Sequence, residues 1–469
     1  MLYTADVNND GQSDIIQTTL SAPIEFTVSL AKGNGTFSAP TAYAFPSGLA
    51  ASPSLAFADF NGDGKVDILA PLQGEGTMAL YFGNGDGTFK APELIADLLP
   101  SGYVYQNLPP VPADYNHDGK MDVVVFAYDS STNVNSAFLI EGDGKGAFST
   151  DVRNIYNAPS GDGILDPVTG DFNADNNADV AFVTTAYCDQ NSAECNGAVH
   201  VLYGNGDFGF NDTTPYTTTG GLLLASGDLN GDGITDLFGY NASGQLVLMY
   251  GKTNETFETY YYSDVPSGGV TNLAMADFNG DGRMDLVGFD FTDEPNAGPT
   301  FQLAFFLAGS SPGTFTTQLY ALPYYQTNTN VVVGNFDNNA KPGVAIVQNP
   351  APSGTGNSTI DAVINETASG NWGGCDYPKA GQGISLCTPT GGSSANPVDF
   401  KASANSFGDI RKFELWVDGK KLSEQHHSWG QYAWFNLSTT LAAGKHSCTL
   451  NVTTVDNDAE THNFTLTVP

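Results

Sequence analysis

One nine-residue acidic pattern, Asp-x-Asn-x-Asp-Gly-x-x-Asp, returns along this 469-residue chain at nearly constant spacing. It reads DVNNDGQSD from Asp6, DFNGDGKVD from Asp59 and DYNHDGKMD from Asp114. It continues as DFNADNNAD from Asp171, DLNGDGITD from Asp228 and DFNGDGRMD from Asp277, and a degenerate seventh copy, NFDNNAKPG, starts at Asn335. Successive starts lie 53, 55, 57, 57, 49 and 58 residues apart. A repeat of that length is one supersecondary unit used again and again. A unit that cannot bury both of its faces alone must stack on its neighbours.

Each unit reads as four short strands. An apolar stretch such as SLAFA or NLAMA precedes the acidic loop, and an aliphatic run such as DILA or DVVVF follows it. A third strand ends at a glycine-rich turn and an aromatic: Phe37, Phe89, Phe148, Phe210, Phe257, Phe315 and Trp372. A fourth, polar and aromatic stretch such as ETYYYSDV completes the unit. Short, evenly spaced strands in a repeated unit predict an all-β chain and propeller blades. Seven copies predict a seven-bladed propeller over residues 1–372.

The loop itself crowds like charges, which calls for a cation. Calcium takes six to eight oxygen ligands. Side chains at positions 1, 3, 5 and 9 can converge on one point, and position 7 can add its backbone carbonyl, which leaves its side chain free to vary. The expected ligand sets are Asp6, Asn8, Asp10, Gln12 and Asp14; Asp59, Asn61, Asp63, Lys65 and Asp67; and Asp114, Asn116, Asp118, Lys120 and Asp122. They continue with Asp171, Asn173, Asp175, Asn177 and Asp179; Asp228, Asn230, Asp232, Ile234 and Asp236; and Asp277, Asn279, Asp281, Arg283 and Asp285. Position 6 needs a sharp turn with positive φ, which suits glycine, with Asn176 as the tolerated substitute. About six Ca2+ ions are expected, stiffening the units rather than meeting a ligand. The seventh loop lacks the acids at positions 1, 5 and 9 and is expected to bind nothing.

These loops, with the closing turns FGNGDGTF (82–89) and YGNGDFGF (203–210), resemble FG-GAP/VCBS repeats. Such repeats build the propeller of integrin α subunits, some fungal lectins and many bacterial secreted proteins. The resemblance covers residues 1–372 and implies a calcium-loop propeller.

In a four-stranded antiparallel meander the acidic loops and closing turns share one edge. The longer, irregular segments go to the other edge, where function concentrates on variable loops. They include 101–110, 127–136, 185–197, 290–299 and 322–329, and they carry Tyr103, Tyr105, Tyr128, Tyr187, Tyr324 and Tyr325 among amide and hydroxyl side chains. Tyrosine offers flat apolar area with a polar tip, which suits sugar or protein surfaces. About half of these tyrosines are expected to pack between blades instead.

Charge narrows the partners. Fifty-one acids face sixteen bases, for a formal charge of −35, which argues against nucleic acid or an anionic membrane. No apolar run is long enough to span a bilayer, and the first residues lack the basic start and apolar core of a signal peptide. Met1 opens directly in a first strand, so the chain is expected to begin late, behind an upstream closing strand and signal peptide. Cys188 and Cys195 lie seven apart and Cys375 and Cys387 twelve apart, both in turn-like sequence. Local disulfides are expected there, which points to an oxidising compartment. Cys448 alternates with Leu450 and Val452 and reads as a buried thiol.

Residues 373–397 read as a Cys-stapled linker. Residues 398–469 carry alternating strands around an Asp-Gly hairpin turn (VDGK, 417–420), resemble the Ig-like modules of bacterial surface proteins and predict an Ig-like β-sandwich, with Trp416 plugging its core. His426 and His427 read as exposed loop residues. No Ser/His/Asp spacing, phosphate loop or metalloprotease motif occurs, so no catalytic residues are assigned. The expected function is a non-catalytic, calcium-binding recognition or adhesion protein, secreted or at the cell surface, that binds glycan or protein. The alternatives are a propeller enzyme acting on polysaccharide and a self-assembling cell-surface subunit.

Overall fold

The computed structural model describes residues 1–18, 24–46, 54–72, 76–96, 98–185, 197–212, 216–218, 222–241, 245–263, 265, 270–294, 298–321, 331–336, 341–348, 359–363, 383–389, 396–405, 410–426, 432–454 and 459–469. Their regular elements are all β-strands. Before residue 364 they form seven antiparallel sheets in chain order. The second sheet is typical. Ala56–Ala58 pairs with Asp67–Leu72, which pairs with Thr77–Tyr81, which pairs with Glu93–Ile95. Six sheets have this four-strand path; in the seventh, Val331–Gly334, Gly343–Gln348 and Thr359–Val363 are the described strands.

Burial explains why these residues make these strands. The second and third strands of each sheet have neighbours on both faces and read as near-continuous apolar runs. Asp67–Leu72 is buried at every position. Fourth strands such as Thr256–Tyr262 are half exposed. Apolar clusters lie between consecutive sheets. Phe26, Val28 and Ile16 of the first sheet meet Ile68, Ala79 and Tyr81 of the second, and Leu69, Met78 and Leu80 of the second meet Val123, Val125 and Phe138 of the third.

The first sheet also packs on the seventh, through Leu2, Ile15, Phe336 and Ala345. Polar contacts fasten this seam. Ser13 N–H donates to the Asn335 carbonyl (2.7 Å), Asn335 N–H to Ser13 Oγ (3.0 Å) and Asn335 Nδ2 to the Gly11 carbonyl (3.0 Å). The degenerate seventh loop thus supplies a joint between the ends of the repeat array. The same pattern joins the fourth and fifth sheets, where Thr235 N–H donates to the Asp171 carbonyl (2.9 Å).

Two further sheets follow. Gly383–Thr388, Val398–Asn405 and Tyr432–Thr439 form one; Lys420–His426, Ile410–Val417, Gly444–Thr454 and Ala459–Val468 form the other. They share one core of Phe400, Phe413, Leu415, Phe435, Leu450 and Leu466, in which Cys448 is fully buried as expected. The strand Gly383–Thr388 falls inside the stretch read as a linker. Trp416 corrects the sequence reading. Phe413, Leu415 and Val417 point inward, so Trp416 lies on the outer face beside Glu414, to whose Oε2 its Nε1 donates (3.3 Å). The VDGK turn is as expected, with Asp418 and Gly419 at φ of 50° and 76°. The disulfide expectations fall outside what is described, since Cys188, Cys195, Cys375 and the side chain of Cys387 are not among the described positions.

Candidate functional site

The six acidic loops have one hydrogen-bond scheme, which the second shows in full. The first aspartate receives the turn: Asp63 N–H donates to Asp59 Oδ1 (3.1 Å) and Gly64 N–H to Asp59 Oδ2 (2.7 Å). Asn61 Oδ1 also accepts from Asp63 N–H (2.9 Å), and Asp63 Oδ1 accepts from Lys65 N–H (3.2 Å). The ninth-position aspartate reaches furthest. Asp67 Oδ2 accepts from Phe60 N–H (3.1 Å), and Asp67 Oδ1 accepts from Gly83 N–H (2.9 Å) in the closing turn. Asp14, Asp122, Asp179, Asp236 and Asp285 bridge in the same way to Ala31, Gly142, Gly204, Gly251 and Ala308. Acidic loop and closing turn therefore share one edge of every sheet that has both.

The turn at position 6 has positive φ in all six loops: 83° at Gly11, 76° at Gly64, 78° at Gly119, 72° at Asn176, 85° at Gly233 and 86° at Gly282. Position 4 is left-handed as well, which the sequence reading missed. Gly62, Gly231 and Gly280 occupy it in three loops and Asn9, His117 and Ala174 in the others. The signal was the first glycine of NGDG, and Ala174 (φ 61°) hid it.

All six ninth-position aspartates are fully buried. Burial, with the neighbouring acids adding to it, pushes Asp14 up to about 8 and Asp67, Asp122 and Asp285 up to about 7, against the amide donors that lower them. Burial raises Asp6 and Asp228 to about 6. A divalent ion would reverse that balance in favour of the charged forms.

The donor set suits such an ion: carboxylates, one amide oxygen and a backbone carbonyl, all hard oxygens. Among the described residues, however, no three acidic, histidine or cysteine side chains converge as a metal-holding group. Two features account for this. The donor at position 3 is an asparagine, and the ninth-position carboxylate is turned toward its two amides. Each carboxylate oxygen has a second lone pair, so an amide and a cation can share it. The loops also fall into two sets. In three of them a basic residue at position 7 pairs with the acid at position 5: Lys65 with Asp63 (3.0 Å), Lys120 with Asp118 (2.6 Å) and Arg283 with Asp281. In the others Asn8, Asn173 and Asn230 donate to Asp10, Asp175 and Asp232 instead.

The opposite edge is described best in the third sheet, where the hairpin of Asp122–Asp129 and Val134–Ile140 is described through its tip. Tyr103–Tyr105 pairs with its first strand, and on its other flank Gly161 N–H donates to the Asn133 carbonyl (2.9 Å). Asp129 caps the tip through Ser131 and Thr132. The tyrosines divide. Tyr105 is buried between the second and third sheets, Tyr103 packs edge-on against Phe138, and Tyr128 stands at the hairpin with its hydroxyl on Asn133 Oδ1 (2.9 Å). Tyr187, Tyr324 and Tyr325 lie outside the described residues.

A polar cluster between the third and fourth sheets also escaped the sequence reading. His200 stacks on Phe182, and its Nε2 meets Thr184 Oγ1 (3.0 Å) and the Tyr156 hydroxyl (3.3 Å). Its Nδ1 has Asp212 at 3.8 Å.

Seven successive sheets of up-and-down strands, six of them stapled by an acidic loop, define a repeat protein of the β-propeller class. The FG-GAP-like repeat matches residues 6–70, 72–125, 114–182 and 228–288, and the chain belongs to that family. It is 30% identical over 155 residues to T-cell immunomodulatory protein of Rattus norvegicus, a match over 29% of this chain. The chain spans about a quarter of the length of that curated relative. Solved structures similar to it include AofleA from Arthrobotrys oligospora (8% identity, TM-score 0.38, 68% of this chain and 85% of that one). Others are the fucose-specific lectin from Aleuria aurantia (11%, TM-score 0.35, 68% and 97%) and the V. cholerae biofilm matrix protein Bap1 (14%, TM-score 0.30, 78% and 77%). Among the described residues no helix is long and apolar enough to cross a membrane.

Proposed function

We propose that this chain is a non-catalytic recognition protein, secreted or at the cell surface, whose repeat array is stiffened by calcium and binds glycan through the loops opposite the acidic ones. The observation that carries the reading is the division of labour between the two edges of the third sheet. One edge is a regular staple whose acidic donors are tied into the fold. The other is a projecting hairpin, fixed on both flanks, that presents Tyr128, Asn133 and the exposed Ser130, Ser131 and Thr132. A flat aromatic face beside amide and hydroxyl groups suits a polyhydroxylated ligand.

Calcium would be held by the side chains at positions 1, 3, 5 and 9 and the backbone carbonyls of Gln12, Lys65, Lys120, Asn177, Ile234 and Arg283. When bound it neutralises buried carboxylates. The chain's own residues do the rest: the loops fix the strand ends, and the hairpin meets the ligand.

A glycan array probed with the full chain, with calcium and with chelator, tests the proposal. Calcium-dependent binding that falls at least about tenfold in Tyr128→Ala is expected, in line with loss of one aromatic anchor. Absence of glycan binding, or binding indifferent to the hairpin, overturns the assignment of ligand and edge. Turnover of a bound polysaccharide overturns the non-catalytic reading.

A further inference from the structure

The tip of the hairpin joining Ile410–Val417 to Lys420–His426 is fastened to the start of Gly444–Thr454. Asp418 N–H donates to the Ser447 carbonyl (2.8 Å), and Ser447 N–H donates back to Asp418 Oδ1 (2.9 Å). The other carboxylate oxygen, Oδ2, lies 2.7 Å from His446 Nδ1. Across the ring, Nε2 lies 2.8 Å from the carbonyl oxygen of Ala442. His446 is 8% exposed and continues the inward-facing row of Cys448, Leu450 and Val452, at the rim of the sandwich core.

Both ring nitrogens thus face acceptors that bring no proton: a carboxylate and a backbone carbonyl. Neutral imidazole has one N–H and one lone pair, so one of the two contacts would set lone pair against lone pair. Only the imidazolium donates to both. We propose that His446, Asp418 and Ala442 form a pH-operated clasp, closed while the ring carries two protons and opened on the Ala442 side when one is lost.

The geometry selects which contact opens. The proton facing Asp418 is held by a full negative charge and makes the stronger, charge-assisted bond. The proton on Nε2 faces only a neutral carbonyl and leaves first. Asp418 keeps both of its bonds to Ser447. Leu441, one residue before Ala442, stays tied to Asn396 through Asn396 Nδ2 to the Leu441 carbonyl (2.7 Å) and Leu441 N–H to Asn396 Oδ1 (3.0 Å). Release is therefore confined to the short connection that leads into Gly444–Thr454.

The surrounding groups favour the charged ring. Asp418 is the carboxylate that faces it. Lys445 is exposed and points to the other side of the strand, and Leu466 lies across from His446 in Ala459–Val468. The Cys448 thiol, pushed up to about 11 by burial and by Asp418, stays neutral. The Ala442 carbonyl and then Asp418 hold His446 above its ordinary value, with burial opposing them. A histidine raised in the folded state contributes stability that is fully present below about pH 6.5 and is lost as pH rises through the raised value. The sandwich is thus tightened by acid.

Histidine side-chain nitrogen spectra of the full chain between pH 5.5 and 9, with His446→Gln to assign the signals, test the clasp. Expected are two protonated ring nitrogens at pH 6.5 and a midpoint that falls in Asp418→Asn. Amide exchange over 440–447, corrected for intrinsic rates, is expected to be faster at pH 8.5 than at 6.5. The gain is tenfold for each pH unit by which the midpoint is raised, and it disappears in His446→Gln. A midpoint at or below 6.5, or the same exchange contrast without His446, overturns the proposal. The wild-type titration decides it even where a variant fails to fold.

Discussion

At the scale of single residues, the ninth-position aspartate does two jobs, and they can be separated. Asp67 ties Phe60 N–H in its own loop to Gly83 N–H in the closing turn, both buried. Asp63 is exposed and accepts from Lys65. In chelator, with no ion to bind, Asp67→Ala leaves two amides unpaired and is expected to cost about 2–6 kcal/mol, while Asp63→Ala stays within about 1 kcal/mol. Chemical denaturation of both variants checks this; equal losses would mean that the acids serve the ion alone. His200 makes a second case, opposite in sign to His446. Burial lowers its pKa, with Asp212 pulling the other way. Its neutral form contributes stability that is held above about pH 6.5 and lost as pH falls through the lowered value. The melting temperature of His200→Phe should accordingly fall less than that of wild type between pH 7 and 5. Position 9 was legible in the sequence as an acid, because like charges at fixed spacing demand an explanation. Its bond to the closing turn was not, because that partner lies 15 to 25 residues away. His200 was illegible for the same reason, since its partners Tyr156, Thr184 and Asp212 lie on other strands, and so was His446, whose carboxylate partner Asp418 stands in a hairpin turn 28 residues earlier.

At the scale of the element, the closing turn decides how tightly the third strand of a sheet meets the acidic loop. A Cβ on Gly142 would lie 1.9 Å from the Met121 carbonyl oxygen, and one on Gly83 would lie 2.2 Å from that of Val66. The equivalent positions in the first and sixth sheets are Ala31 and Ala308, whose amides make the same bond to Asp14 and Asp285. Those two turns have opened enough for a methyl group; the others have not. Gly142→Ala is therefore expected to cost about 1–3 kcal/mol through overpacking against backbone. Ala31→Gly should cost only about 0.5–1 kcal/mol of chain entropy. Thermal melts of the two variants compare them directly, and equal effects would remove the close approach as the cause. Strand order in six sheets could be read from the repeat, since a strand, an acidic loop and an aliphatic run in fixed order leave one antiparallel path. The strand Gly383–Thr388 could not, because a Gly-, Ser- and Pro-rich setting masks a short apolar run. Trp416 misled for another reason: size suggested a core residue, whereas its parity with Lys412 and Glu414 placed it outside.

At the scale of the molecule, the repeat array is uneven in a way that calcium should reveal. Six sheets carry a full acidic loop. The seventh carries NFDNNAKPG, and its Asn335 is spent on the seam with the first sheet through Gly11 and Ser13. An ion that binds only the folded loop stabilises it by about 2.7 kcal/mol at a hundredfold excess over its dissociation constant. Calcium should then slow amide exchange in the second strands Asp67–Leu72, Asp122–Asp129, Asp179–Thr185 and Asp236–Tyr240 far more than in Gly343–Gln348, which has no loop of its own. Exchange measured by mass spectrometry with calcium and with chelator gives the comparison. The seventh sheet also packs on the sixth through Phe278, Val287, Val331 and Val344. Only the part of its gain that passes through the seam depends on Asn335, so Asn335→Ala should reduce that gain while leaving the gain in the other sheets intact. Asn335 Nδ2, which the substitution removes, and the Asn335 carbonyl, which it keeps, both grip the very loop, Asp6 to Asp14, that an ion would tighten. A uniform calcium effect across all seven sheets, unchanged in Asn335→Ala, would show that stiffness spreads through the apolar interfaces and that the seventh loop is no more than a worn copy.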